Sequence, residues 1–448
     1  MSAATAVLRH RPFRWLTAGR AVTVLANSMA PVALSFAVLD LTGSVTDLGL
    51  VVGARSLANV LALLFGGVLA DRVRRAVLLQ GSALGSAAVQ GVLAVSLLLH
   101  WASLPLLVVL SLANGVLAAL SLPAAAALLP QTVPAGELRQ ANAVARLGVN
   151  LGMIMGSSLG GLLAATAGAG WALAVDAAAL AAAGGCYLLV RQAAAESGAD
   201  REKVRALVEL RDGWREFISR RWVWVVVLQF LVVNAAYSGA VQVIGPGIAQ
   251  ATIGRTAWGV VLAVQMAGAV VAGLLATRLR VRRALALGVG LVGADAVTVL
   301  ALAQRPGAAV LCAVMFVSGF ALELFGVAWD LSLQQNVPAD RLARVYSIDA
   351  LGSFLALPLG EMAVGPLAHR FGERTTLLVA AALIALATGA ALTSRAVRTL
   401  TVRDEPAAGT VPAAGTAPVA ATALVAGAEP VADAPAVLMP NVPPGAAG

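Results

Sequence analysis

Apolar residues run through this chain in long blocks rather than in strict alternation or narrow helical stripes. A membrane-spanning helix needs about 20 such residues, and twelve blocks meet that length. They lie at roughly 14–39, 45–70, 76–100, 104–130, 138–166, 171–190, 222–245, 256–277, 284–304, 308–331, 342–367 and 374–394. Some stretches, such as Ala76–Leu99 and Trp222–Gly254, hold no charged residue. The Gly and Pro inside the blocks would break helices in water but are common in spanning ones. The pattern predicts an all-α integral membrane protein.

Composition agrees. Of 448 residues, 60% belong to the hydrophobic set and 12% are charged, against about 25% charged in soluble domains. Too few charges remain to wet a globule of this size. The net charge of +9 could suggest nucleic acid, but its placement argues for topology instead. With both termini on one side of the membrane, 24 of the 31 basic residues fall on that side and 4 on the other. The remaining three, Arg20, Arg55 and Arg146, fall within spans. By the positive-inside rule that side is the cytoplasm, and the count of spans is even. Cys186 and Cys312 sit in apolar segments, where a small buried hydrophobe is the expected role. His10, His100 and His369 are scattered, and no phosphate loop or metal-spaced cluster appears. Neither an enzyme nor a cofactor is expected.

The chain also repeats itself. Leu129–Leu163 laid over Leu333–Leu367 pairs Gln131 with Gln335, Pro134 with Pro338, Gly148 with Gly352, Gly156 with Gly360 and Gly161 with Gly365. A weaker echo pairs Gly67-Val-Leu-Ala-Asp-Arg with Gly273-Leu-Leu-Ala-Thr-Arg. Two parallel six-span halves with the substrate between them describe a secondary transporter. The expected division is a first bundle at 1–190, a cytoplasmic linker at 191–221, a second bundle at 222–400 and a disordered cytoplasmic tail at 401–448. That tail is rich in proline and holds no aromatic residue.

The segment Gly67-Val-Leu-Ala-Asp71-Arg72-Val-Arg-Arg75 resembles the loop 2–3 signature of the major facilitator superfamily. More narrowly, the chain resembles the bacterial branch of enterobactin- and macrolide-efflux exporters. The residues that carry this are Arg11-Pro-Phe-Arg14, Leu39-Asp-Leu-Thr-Gly-Ser44, Val133-Pro-Ala-Gly-Glu-Leu138 and Val337-Pro-Ala-Asp-Arg-Leu342. Departures are also visible. The loop signature lacks its usual Gly after Asp71, and Ser157 stands where an antiporter pattern in span 5 has Pro. Ala26-Asn27 replaces a Gly-Asp common in the middle of span 1, so coupling must rest on other acids.

The resemblance implies a bacterial plasma-membrane protein that works as a monomer. Its partners would be a small-molecule substrate, protons and the lipid bilayer, with no nucleic acid. Asp71, Arg72 and Arg75 would form a gate at the inner mouth of span 2. Spans 1, 4, 7 and 10 would line the cavity, which makes Asn27, Asn114, Gln229, Asn234, Tyr237 and Glu323 substrate-contact candidates. Interhelical hydrogen bonding is the alternative role for each. The apolar wall around them suits an amphipathic compound better than a sugar or phosphate, which needs many fixed hydrogen bonds. Export is the expected direction, with proton-driven import as the alternative and a non-transporting receptor as a third.

Ionisable groups inside spans default to functional hypotheses. Glu323, at mid-depth between Phe320 and Phe325, is the first choice for a proton carrier. Asp295 and Glu361 are the next choices, and Arg20, like Arg55, is expected to pair with an acid. Asp176, Asp330 and Asp349 lie nearer the span ends and read as capping or snorkelling groups. Gly152, Gly156, Gly160 and Gly161 mark a face of span 5 that lets a neighbour approach closely, either for plain packing or to seal the cavity.

Overall fold

The computed structural model describes residues 7–70, 75–190, 217–276 and 281–401. Among these there is no strand, and twelve helices are long and apolar enough to span a bilayer. The first six are α1 (Arg11–Thr42), α2 (Val45–Ala70), α3 (Arg75–Leu98), α4 (Leu104–Leu128), α5 (Leu138–Thr166) and α6 (Ala169–Leu188). In the second half α8 (Arg255–Ala276), α10 (Ala308–Asn336) and α12 (Glu373–Thr393) are continuous. The other three are interrupted. They are α7 (Arg221–Ser238 and Gly245–Thr252), α9 (Ala284–Leu291 and Gly293–Gln304) and α11 (Ala339–Phe354 and Leu357–Phe371).

Each interruption has a local cause. In α7 a π-helical turn, Gly239–Ile244, joins the two pieces. Pro246 has no N–H to offer Gln242, and its ring crowds that carbonyl; one wider turn relieves both. The span therefore runs through the Gly-Pro-Gly to Thr252, seven residues beyond the end at 245 expected from the sequence. In α9, Val292 separates two pieces bounded by glycines, which are weak helix formers. In α11 the break at Leu355–Ala356 precedes Pro358, whose missing N–H leaves the Phe354 carbonyl unpaired by the helix.

The repeated glycines explain how the halves are built and joined. A Cβ at Gly156 on α5 would overlap the Leu25 carbonyl of α1, and one at Gly360 on α11 would overlap the Ala235 carbonyl of α7. One turn on, the same two helices face the opposite bundle. A Cβ at Gly161 would lie 2.6 Å from the Arg255 carbonyl and 2.8 Å from Gly259 on α8, and one at Gly365 would lie 2.5 Å from Thr46 on α2. Positions paired by the internal repeat thus make equivalent contacts, as a parallel duplication requires. Gly152 and Gly160 extend the α1 contact, against Ala21 and Met29.

These inter-bundle crossings lie in the halves of α2, α5, α8 and α11 remote from the arginine-rich loops. There Phe36, Leu48, Ile244, Ile248 and Trp258 are buried in one continuous apolar cluster. Side chains such as Val109, Leu359 and Leu386 are exposed on the outside, the surface that meets lipid.

Gly156→Ala should therefore destabilise the fold, since overpacking costs about 1–3 kcal/mol. Gly81→Ala, whose Cβ meets nothing within 4 Å, serves as the control. Thermal unfolding of the purified protein should show a lowered midpoint for the first and an unchanged or raised one for the second. Equal midpoints would remove the close-approach role.

Candidate functional site

The first charged contact between the bundles inside the spans joins Arg146 of α5 to Glu323 of α10, at 3.5 Å. The Glu323 side chain is 10% exposed and the Arg146 side chain 39%. Aromatic rings pack between α7 and α10, on another face of α10 from Glu323. Phe230 and Phe325 stack with centroids 4.4 Å apart, Phe325 lies 6.1 Å from Trp329, and Trp222 meets Trp329 edge-on at 5.5 Å. Gly273 of α8 leaves room for the carboxyl, since a Cβ there would sit 3.3 Å from Glu323 Oε1.

The other acids fall elsewhere. Asp295 is buried behind α10, where Ser318 donates to its Oδ1 at 2.6 Å. Ser318 also meets the Tyr237 hydroxyl at 3.2 Å, and Gln265 donates to that hydroxyl at 2.6 Å. Tyr237 and Asp295 thus belong to one polar chain linking α7, α8, α9 and α10 within the second bundle. Glu361 is 3% exposed at the α2–α11 crossing, accepts a hydrogen bond from Ser238, and has its Oε2 unpaired.

The substrate-contact candidates divide. Gln229 donates to Thr388 at 3.2 Å, between α7 and α12. Asn234 donates to the Ser353 carbonyl at 2.8 Å, beside the α11 break. Both work as interhelical ties. Asn114 is buried in α4 with its Oδ1 unpaired. Asn27 is half-buried in α1.

Four expectations need correction. Arg20 has no carboxylate within ion-pair distance among the described residues; it lies instead near Tyr187. Asp176 is not a snorkelling end group but fully buried, both oxygens without a hydrogen-bond donor. Asp330 and Asp349 do not reach for the surface either. They turn inward, Asp330 receiving the Tyr346 hydroxyl at 3.1 Å and Asp349 the Trp329 indole N–H at 2.9 Å. Side-chain direction is set by the neighbouring helix, and depth along a span does not reveal it. Asp71, Arg72 and the side chain of Arg75 lie outside the described residues, as do linker residues 191–216 and the tail from 402.

Two contacts went unforeseen because their partners are distant in sequence. Arg255, at the start of α8, pairs through both terminal nitrogens with Asp40, at the end of α1, one bond measuring 2.7 Å. Its guanidinium also sits 5.1 Å from the Phe36 ring centroid. This pair ties the two bundles on the side away from the basic loops. On the opposite side, Glu137 ahead of α5 receives Arg9 and lies 2.9 Å from His10. The exporter-like segment Val133–Leu138 there meets the residues just ahead of another, Arg11–Arg14.

The profile of the Major Facilitator Superfamily matches residues 16–361, and the chain belongs to that family. Its twelve spans form the two parallel six-helix repeats of a transporter. It is 33% identical to the enterobactin exporter EntS of Citrobacter koseri over 164 residues, which is 36% of this chain and 39% of that protein. The chain thus matches well under half the length of that relative. Among solved structures, it is similar to the nucleoside transporter NupG, with a TM-score of 0.68 and 14% identity over 85% of this chain and 98% of that one. A bacterial homologue of the lysosomal transporter Spinster gives a TM-score of 0.67 at 15% identity, over 89% and 98% respectively.

The Glu137 contact makes a pH prediction outside the membrane. The hydrogen bond from His10, followed by the charge and hydrogen bond of Arg9, holds the Glu137 carboxyl below the ordinary glutamate range. A carboxyl with a depressed folded pKa contributes stability that is present above the unfolded value and lost as pH falls through the folded one. The tie should persist through the range where a free glutamate titrates, about pH 4.3, and release beneath it. Amide exchange at residues 7–14, corrected for its intrinsic pH dependence, should speed up only there. Release already within the free-glutamate range would show that these contacts do not hold the carboxyl down.

Proposed function

We propose that this protein exports a small amphipathic compound by alternating access, driven by protons. The observation that carries the reading is Glu323, a nearly buried carboxyl in α10 facing a half-exposed guanidinium on the opposite bundle. Burial in a low-dielectric surround disfavours a carboxylate's charge, and Arg146 is the group that offsets this here. Protonating Glu323 removes the charge that holds Arg146 to α10, so the two bundles become free to separate on the basic-loop side or close anew over the site. On this reading the basic loops are cytoplasmic, and the Gly161–Gly259 and Asp40–Arg255 contacts close the outer side.

The largely apolar faces of the spans favour an apolar body with few polar groups. The EntS-like stretch favours export over import. One proton moving down about 100 mV gains roughly 2.3 kcal/mol, and one unit of pH adds about 1.4. A neutral compound could then be held at a gradient of several hundredfold.

In inverted membrane vesicles acidified inside, a fluorescent amphipathic probe should accumulate, and an uncoupler should abolish the accumulation. Glu323→Gln should lower uphill accumulation at least tenfold while keeping exchange of labelled for unlabelled probe. Uncoupler-sensitive uptake into whole cells would favour import instead. Wild-type uphill rates in Glu323→Gln would move the coupling site to Asp295 or Glu361.

A further inference from the structure

Below Glu323, α10 continues as Gly326 and Asp330, at spacings of three and seven residues that keep all three on one helix face. Gly326 and Asp330 open into a cavity of about 40 Å³ between α7, α10 and α11. Its walls are Phe230, Phe325, Trp329 and Phe354, and its polar groups are Asp330, Tyr346, Asp349 and Ser353. A water needs about 10–15 Å³ of such space, so the cavity holds about three waters and is too small for an amphipathic substrate.

We infer that Asp330 and Asp349 share one proton in this wet cavity and form a station between Glu323 and the basic-loop side of the membrane. The inference rests on the reading of proton-driven transport but names residues that reading does not use. Asp330 is 8% exposed. Its Oδ1 takes the Tyr346 hydroxyl, and its Oδ2 has no hydrogen-bond donor. Asp349 accepts the Trp329 indole through one oxygen and the Ser353 hydroxyl, at 3.3 Å, through the other.

The charges facing Asp330 are Asp349 of α11, Glu323 of its own helix and Arg146 of α5; Tyr346 is the other titratable neighbour. α7 contributes only Val226 and Phe230 to the cavity. Among the described residues, three carboxyls therefore face one guanidinium, Arg146, which Glu323 engages. Two ionised carboxylates crowded into one apolar cavity repel strongly, and retaining one proton between them removes the repulsion. A metal cation fits less well, because an indole N–H and two hydroxyls already donate to these oxygens and an indole cannot ligate a cation. From Asp330 to Glu323 is about 10 Å along the helix, and Gly326, which has no side chain, stands between them on that face. The proton passes from Glu323 through water to an Asp330 or Asp349 oxygen, rests there, and leaves on the basic-loop side; no other bond is made or broken.

Infrared difference spectra of the purified full-length protein, titrated across neutral pH, test this without any transport. Wild type should show a protonated-carboxyl band that Asp330→Asn and Asp349→Asn each abolish. The double variant should lose no more intensity than either single one, because one proton is shared. Asp330→Glu should keep the band at a shifted frequency, which separates proton binding from misfolding. A band that survives both single variants, or a doubled loss in the double variant, would overturn the shared proton. Loss of the wild-type band on adding sodium at constant pH would make this a cation site instead. If the band behaves as expected while Glu323→Gln retains proton-driven efflux, the station stands and the coupling role of Glu323 falls.

Discussion

The two bundles meet backbone to backbone, and most of what the molecule can do depends on that contact. In lipid there is little hydrophobic drive between helices, so association relies on close packing and on polar ties. Gly161 against Gly259, and Gly365 against Thr46, allow an approach that any larger side chain would prevent. Because the glycines recur in both halves, the two crossings are equivalent and act as a pair of pivots. Contacts of this kind bring the two backbones together and hold the halves in register.

The same constraint decides where charge can reside. Polar ties at the crossings must be satisfied within the protein, and they are few. Asp40–Arg255 joins the bundles beside the glycine contact, at the end of the spans, where both side chains keep some exposure. Glu361 is held at the second crossing by Ser238. Between these fixed points and the basic loops stands Arg146–Glu323, longer and more exposed on its arginine side. A long, partly exposed ion pair between two packed bodies is the weakest of these joints, which is why the proposed reading places the exchange with a proton there.

Much of the fold was legible in the sequence because the bilayer demands uniform signals: long apolar blocks, arginines on one side, and glycines repeated in register. The Gly152, Gly156, Gly160 and Gly161 face was readable for the same reason. The site was less so. Gln229 and Asn234 looked like cavity residues from depth alone, yet Thr388 and the Ser353 carbonyl, both far away in the chain, claim them. Asp330 and Asp349 looked like end groups because distance from a span end carries no direction. A usable signal was nevertheless present: Glu323, Gly326 and Asp330 share a helix face, and a polar stripe with a glycine gap inside an apolar span is costly unless something passes along it.

The halves arise from one duplicated unit but have not remained alike. Among the described residues, the spans of the first half are unbroken, and Asp176 is the one acid fully buried there. In the second half α7, α9 and α11 are each interrupted, and that half holds Asp295, Glu323, Asp330, Asp349 and Glu361. The two differences are physically linked. A break frees carbonyls and wide turns that must find polar partners, as Ser353 finds Asn234, and the space and hydrogen bonds so created let carboxyls be buried. An unbroken bundle offers neither. The first half supplies Arg146 to the joint, and the second supplies Glu323 and most of the other buried acids. On the proposed reading, a change of charge on one side of the Arg146–Glu323 joint acts against a partner that does not yield, and this asymmetry is what would turn a proton's arrival into relative motion of the bundles.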